Sequence, residues 1–256
     1  MFWLFGLLGV VAFGVGWALH RLREVYRPFA PIFKGPELTT ELPLSPETRG
    51  IAHNGGDTKE GLELVREHSI DIVEIDVALV NGRLDVVHTP PRRIPVLLVP
   101  LVYRSATLND AWEELPEGID VYLDMKSRSR RAIEQVAQVL ASRTERTIYV
   151  GSSDLDGLIQ LRSLAPESLT IFYPKTRERL EKLLGDDPLP VRGVSIGPGH
   201  LDAALVTRAQ DRSLIVWAGV TNDRSVIQRL LEWQVDGIIS DDLAVLTALR
   251  VNRIGG

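Results

Sequence analysis

Val73-Glu74-Ile75-Asp76-Val77 is an apolar run with a carboxylate at every second position. In an extended strand alternate side chains share a face, so Glu74 and Asp76 point together where a packed strand would carry Val or Ile. Tyr122-Leu123-Asp124-Met125-Lys126 repeats the arrangement, with Asp124 and Lys126 on one face. Three carboxylates converging within an apolar wall repel one another and are costly to desolvate unless a cation sits among them. Hard oxygen ligands suit one divalent metal ion, Mg²⁺ or Ca²⁺. Lys126 is one of five lysines in a chain that otherwise uses arginine, and it alone falls inside an expected buried strand. A structural ion pair with Asp124 is the competing reading of that lysine. With His53 closing Gly50-Ile51-Ala52-His53 and His88 closing Leu84-Asp85-Val86-Val87-His88, the chain carries the parts of a metal-dependent phosphoryl-transfer site.

Working outward, short β-branched runs recur at about 50–54, 72–79, 120–126, 146–152, 169–174, 191–197, 213–219 and 235–240. Amphipathic stretches separate most of them: Lys59–His68, Arg130–Ser142, Leu155–Leu164, Asp202–Gln210 and Arg224–Gln234. Eight strands alternating with helices over roughly 200 residues predict an α/β fold, a (β/α)₈ TIM barrel, in which chemistry sits at the C-terminal strand ends. His53, Glu74, Asp76, Asp124 and Lys126 all fall at or near such ends. Arg83–His88 would be a ninth strand, a hairpin arm after strand 2. A three-residue loop Val80-Asn81-Gly82 would pair Leu79 with Arg83 and set His88 opposite Glu74, whereas a two-residue Asn-Gly turn would set it opposite Ile75. The first register is expected, because it brings His88 to the carboxylates.

The 256 residues, 45% of them hydrophobic, are enough for one sizeable core. Without cysteine, neither a disulfide framework nor a thiolate metal site can form. A net charge of -5 with no dominant basic face argues against a nucleic-acid partner. Met1 to Leu19 contain no charged side chain, about the length that spans a ~30 Å hydrocarbon core, so residues 1–20 are expected to form a single-pass transmembrane anchor. A cleaved signal peptide fits less well, for lack of a basic start and an A-x-A site. Arg21, Arg23 and Arg27 follow, which by the positive-inside rule puts the catalytic domain on the cytoplasmic side. Residues 21–49 read as a basic flank and Pro-rich linker, and 50–256 as the barrel.

Taken in order, Ile51-Ala52-His53-Asn54-Gly55, Val73-Glu74-Ile75-Asp76-Val77, Asn81-Gly82, Val86-Val87-His88 and Leu123-Asp124-Met125-Lys126 resemble the glycerophosphodiester phosphodiesterase family of phospholipase-C-like barrels. Ile215-Val216-Trp217-Ala218-Gly219-Val220 and Val235-Asp236-Gly237-Ile238-Ile239-Ser240-Asp241-Asp242 resemble that family's last two strands, so the likeness spans Gly50 to about Leu246. It implies Glu74, Asp76 and Asp124 as metal ligands, His53 and His88 as an acid/base pair, and Lys126 as the cation near the phosphate. Trp217 matches an aromatic at the barrel mouth that packs against substrate, with a core role equally open. Of Asp241 and Asp242, one is read as the N-cap of the last helix rather than a catalyst.

The departures from the family are informative. Asn54 stands where the family usually has Arg, and it is taken with Trp217 as a substrate-binding candidate. Gly56-Asp57-Thr58 stands where Glu-Asn-Thr is common, leaving open whether Asp57 ligates the metal. Thr89-Pro90-Pro91 follows His88 where Asp is usual, which is similar to the sphingomyelinase D-like phospholipases. The implied activity is metal-dependent hydrolysis of a glycerophosphodiester or lysophospholipid, with His53 acting as base or nucleophile and His88 protonating the leaving alkoxide. Arg92-Arg93 before the apolar Ile94–Val102 run suits contact of a Pro90–Tyr103 loop with a bilayer, against the alternative of barrel core. A catalytically diverged barrel that binds lipid or a partner protein is the other function class. His20, His68 and His200 are read as interfacial or surface groups.

Overall fold

The computed structural model describes residues 47–87 and 106–254. The expected anchor, most of the linker, His20, His88 and the Pro90–Tyr103 loop lie outside the described residues. Among the described residues, no helix is long and apolar enough to cross a membrane.

The elements run β1 (Arg49–Ala52), α1 (Lys59–Glu67), β2 (Ile72–Val80), β3 (Arg83–Val86), α2 (Leu108–Glu114), β4 (Asp120–Met125), α3 (Arg130–Ser142) and β5 (Ile148–Ser152). They continue α4 (Leu155–Leu164), β6 (Leu169–Phe172), α5 (Arg177–Leu183), β7 (Gly193–Ile196), α6 (Ala203–Asp211), β8 (Ile215–Ala218), α7 (Arg224–Glu232), β9 (Gly237–Ser240) and α8 (Leu243–Ile254). Eight parallel strands in the order β1-β9-β8-β7-β6-β5-β4-β2 close through a β1–β2 pairing, and β3 lies outside on β2. This is the (β/α)₈ barrel with a hairpin arm. Thr48, assigned to the linker by composition, is buried and its hydroxyl donates to Val235 O at 2.7 Å, so the barrel takes in residues 48 and 49 as well.

Two helices, α2 and α5, were not among the amphipathic stretches expected from the sequence. Both are seven residues long, too short for the apolar period to stand out, and both start at a capping threonine. Thr107 accepts the Asp110 N–H in a reciprocal capping box, and Thr176 accepts the Arg179 N–H.

The hairpin register is a correction. Val80 pairs with Arg83 and Val77 with Val86, so the turn is the two-residue Asn81-Gly82 and not the three-residue loop. Asn81 at φ 50° and Gly82 at φ 85° both lie in the left-handed region, the turn whose twist matches that of the flanking strands. The functional argument favoured the longer loop, and local turn chemistry overrode it. The ladder runs on to Val87, whose N–H donates to Asp76 O at 2.8 Å.

The barrel interior is filled by Ile51, Ile72, Tyr122, Tyr149, Ile171, Trp217 and Ile239. Trp217, 1% exposed, is packed edge-on by Tyr122 (5.1 Å between centroids) and Tyr149 (4.8 Å). Gly237 makes room for it, since a Cβ there would lie 2.6 Å from the indole. At the N-terminal end Arg49 closes the barrel, donating to Asp120 (2.7 Å) and to the Tyr149 hydroxyl (3.1 Å). The helices pack the outer wall in two larger clusters.

Candidate active site

Strand alternation delivers the charged residues to one place. Glu74 and Asp76 leave the upper part of β2 on its inner face. Asp124 lies beside Asp76 in register on β4, and Lys126 follows it two residues later. Glu74, Asp76 and Asp124 each offer an oxygen within 4.8 Å of the others. The Lys126 ammonium sits 2.8 Å from Asp76 Oδ1 and 2.5 Å from Asp124 Oδ2. Asp76 and Glu74 form the floor, with side chains 0% and 6% exposed, while Asp124, Lys126 and His53, at 25%, 22% and 24%, remain open to a substrate from above.

Electrostatics follow from burial and crowding. Burial, then the Asp76 and Asp124 charges, pushes the Glu74 carboxyl well above the usual carboxylate range, against the pull of Lys126 and the Asn54 N–H. Burial likewise raises Asp124, with Lys126 opposing and Asp76 adding to the rise. Burial alone would lower Lys126, but Asp124, Asp76 and Glu74 outweigh it and hold the ammonium charged. Three carboxylates against one ammonium leave a formal charge of -2 in a largely buried site, and an all-oxygen donor set of this charge fits a divalent cation.

His53 directly follows β1, and its Nδ1 lies 2.8 Å from Asp241 Oδ1 while Nε2 faces Glu74 Oε2 at 3.9 Å. A carboxylate only accepts, so this pairing places a proton on Nδ1 and turns Nε2 toward the acidic cluster. Asp241 is itself held: its Oδ2 accepts from Asn222 Nδ2 at 3.0 Å, and its N–H donates to Asn222 Oδ1, also 3.0 Å. Ser240 Oγ donates to the same Asn222 Oδ1 at 2.8 Å. Sequence reasoning missed Asp241. The signal was present, because Gly237, Ile239 and Asp241 continue the inward alternation that singled out Glu74 and Asp76. Asn222 comes from a loop distant in sequence and carried no signal. Asp242 is the capping residue expected of the pair, accepting the Ala244 N–H at 2.9 Å and pairing with Arg224.

The loop after β1 is stitched onto β2. Gly56 N–H donates to Glu74 O at 2.9 Å, and Asp57 Oδ1 accepts the Asp76 N–H at 2.8 Å. Asp57 therefore braces the strand that bears the carboxylates and lies outside the group of three whose oxygens come within 4.8 Å of one another. Asn54, at φ 51°, donates its backbone N–H to Glu74 Oε2 at 3.3 Å. Its carboxamide is buried, with neither Oδ1 nor Nδ2 hydrogen-bonded among the described residues. Those atoms and Asp57 Oδ2 put three unsatisfied polar atoms in one loop beside the acidic cluster, as expected where a polar ligand or ion completes a site. Trp217 takes the core role held open for it; the indole lies in the packed interior with no surface for a substrate. His200 is exposed, and His68 Nδ1 lies 3.2 Å from Thr247 Oγ1 at the end of α1, away from the site.

A TIM barrel with a carboxylate triad, a lysine and an oriented histidine at its C-terminal end defines a class, the metal-dependent phosphodiesterase barrels. A model of the glycerophosphoryl diester phosphodiesterase family matches residues 86–245, more than half of the chain, and the chain belongs to that family and is a phosphoric diester hydrolase. No curated protein matches the sequence. Among solved structures, an Oleispira antarctica phosphodiesterase in complex with the product sn-glycerol-3-phosphate is 21% identical, with a TM-score of 0.65 over 84% of this chain and 98% of that one. A glycerophosphodiester phosphodiesterase from Thermotoga maritima is 16% identical, with a TM-score of 0.62 over 77% and 96%. At these identities the likeness bears on the fold.

Proposed function

We propose that this chain hydrolyses glycerophosphodiesters or lysophospholipids at a membrane surface, releasing an alcohol and a glycerol phosphate or lysophosphatidate. The observation that carries this reading is the placement of His53, locked at Nδ1 by Asp241 with Nε2 directed at the carboxylate cluster. Glu74, Asp76 and Asp124 would hold a divalent ion, Mg²⁺ or Ca²⁺, which would polarise the non-bridging phosphate oxygens. Lys126 adds a fixed positive charge where negative charge grows in the transition state. His53 Nε2 accepts the proton of the attacking hydroxyl or attacks phosphorus itself, and the imidazolium that forms is stabilised by Asp241. The role of His88, to return a proton to the departing alkoxide, rests on the family resemblance alone, since the observed Asn81-Gly82 turn takes away the register that set it opposite Glu74. Overall one P–O bond to the alcohol breaks, water supplies the new P–O bond, and its second proton leaves with the alcohol. The Asn54 carboxamide is the polar group left to meet the phosphate in place of the arginine usual at that position.

Membrane attachment rests on sequence: the uncharged residues 1–19 and the basic Arg21, Arg23 and Arg27, with the catalytic domain on the cytoplasmic side. The intact constellation of His53, three carboxylates and Lys126 favours catalysis over a barrel kept only for binding. Product analysis on glycerophosphocholine and lysophosphatidylcholine, with and without Mg²⁺ or Ca²⁺, tests the reading. Metal-dependent choline release is expected; no cleavage of either diester with any divalent ion would refute it.

A further inference from the structure

The barrel mouth has a second sector that the chemistry above does not use. Strands β6, β7 and β8 contain no charged residue. Ile171 packs into the interior cluster and Phe172 into the outer one, so the next residue, Tyr173, returns to the inner face. It still belongs to the ladder, its N–H donating to Ser152 O at 2.9 Å. The residue is nevertheless 40% exposed. Val220, just past β8, is 43% exposed. These are two of the four large hydrophobic side chains exposed among the described residues, and both stand at the catalytic end. Between them Gly197 follows β7, with the His200 ring 3.6 Å from where a Cβ on Gly197 would lie.

Among the described residues the sector offers a cation no unengaged carboxylate, and the Tyr173 ring is the group left there that could meet an ammonium. The β6–α5 loop, residues 173–176, has no carboxylate. Asp202 in the β7–α6 loop is engaged by the Leu205 N–H and Arg177, and Asp223 after β8 by the N–H groups of Ser225 and Val226. Lys175, the nearest charged side chain in sequence, is exposed and of the wrong sign for an ammonium headgroup.

Resting on the phosphodiesterase reading, we propose that the β6–β8 side of the mouth binds the alkyl or acyl chain of a single-chain phosphodiester, with Tyr173 and Val220 as its contact surface. It thereby selects lysophospholipids over unacylated glycerophosphodiesters. Apolar chains gain from leaving water against such side chains, by about fourfold in affinity for each methylene fully buried.

The test measures choline release by the full chain from glycerophosphocholine and from 1-hexanoyl, 1-octanoyl and 1-decanoyl lysophosphatidylcholine, each kept monomeric. In the unmodified protein kcat/KM should climb with chain length, to at least about tenfold above the unacylated diester. Tyr173→Ser and Val220→Ser should flatten that climb, most in the double variant, with thermal melts recorded for each. A flat chain-length series with both substrates cleaved overturns the proposal and leaves the phosphodiesterase reading standing; cleavage of neither substrate overturns both. A climb unaltered in folded variants puts the chain elsewhere and also overturns it. So does equal loss on both substrates, which would assign Tyr173 to the headgroup or to the fold. Even if a variant does not fold, a flat chain-length series in the unmodified protein overturns the proposal.

Discussion

The two sides of the barrel mouth use the same inward positions in opposite ways. On the contiguous strands β9, β1, β2 and β4 these positions are Asp241, His53, Glu74, Asp76, Asp124 and Lys126, and almost every one touches another charged group. On β5 to β8 they are Gly151, Tyr173, Ser195 and Gly219, with no charge on any of the four strands. Both sides rest on one layer of Tyr122, Tyr149 and Trp217, so the apolar seal beneath them is common. The contrast separates stability from reactivity: the interior layer holds the barrel closed, which lets one side gather like charges that would be unfavourable in an isolated strand pair. The other side is left open and neutral.

The contrast is broken most sharply by removing the histidine proposed to react. His53→Ala should lower kcat by about 10²-fold or more while the thermal melt stays near that of the unmodified protein, as for a base or nucleophile. A near-normal kcat would take His53 out of the chemistry. Beneath the two sides, Trp217→Ala should destabilise the fold by about 3–5 kcal/mol in denaturant titration, because it empties the centre of the shared layer. Intact stability with a raised KM would return Trp217 to the substrate.

Smaller effects sharpen the charged side. Asp241→Asn should reduce kcat by roughly 10- to 100-fold with KM little changed, since it disturbs the tautomer of His53 rather than a substrate contact. Asp241→Glu should recover part of the loss. An equal loss in both variants with a lowered melt would make Asp241 merely structural. The smallest effect is a dependence on pH. Glu74 and Asp124 have pKa values raised in the fold, so the folded metal-free protein holds protons that the unfolded chain releases at about pH 4–4.5. Their contribution to stability is thus lost as pH rises from that point through the folded pKa values. A divalent ion offsets the loss and competes with those same protons, so the Tm gain from Mg²⁺ should be larger at pH 8 than at pH 5.5. A gain that shrinks with rising pH would contradict the assigned ligands.

The charged side was largely legible in the sequence because strand alternation is a local rule. Glu74, Asp76, Asp124 and Lys126 each stand two residues from a partner on the same face, and the structure brings all four together. The eight barrel strands were legible for the same reason. What escaped depends on contacts distant in sequence or on very short elements. Asn222 reaches Asp241 across a loop, and α2 and α5 are a turn or two long. Asp57 was visible as a carboxylate near the site, yet its role as a brace on the Asp76 N–H depends on how a loop lies along a strand. The hairpin register escaped because a functional preference outweighed the Asn-Gly signal, which by itself pointed to the observed two-residue turn.

Metal dependence tests the central claim most directly. Glycerophosphodiester hydrolysis should be measured on protein exhaustively treated with EDTA, then again after adding Mg²⁺, Mn²⁺ or Ca²⁺, with Asp76→Asn carried in parallel and folding followed by circular dichroism. Activity should vanish on chelation with the barrel still folded, return with a divalent ion, and fail to return in Asp76→Asn. Undiminished turnover after chelation, or full recovery in Asp76→Asn, would contradict the account.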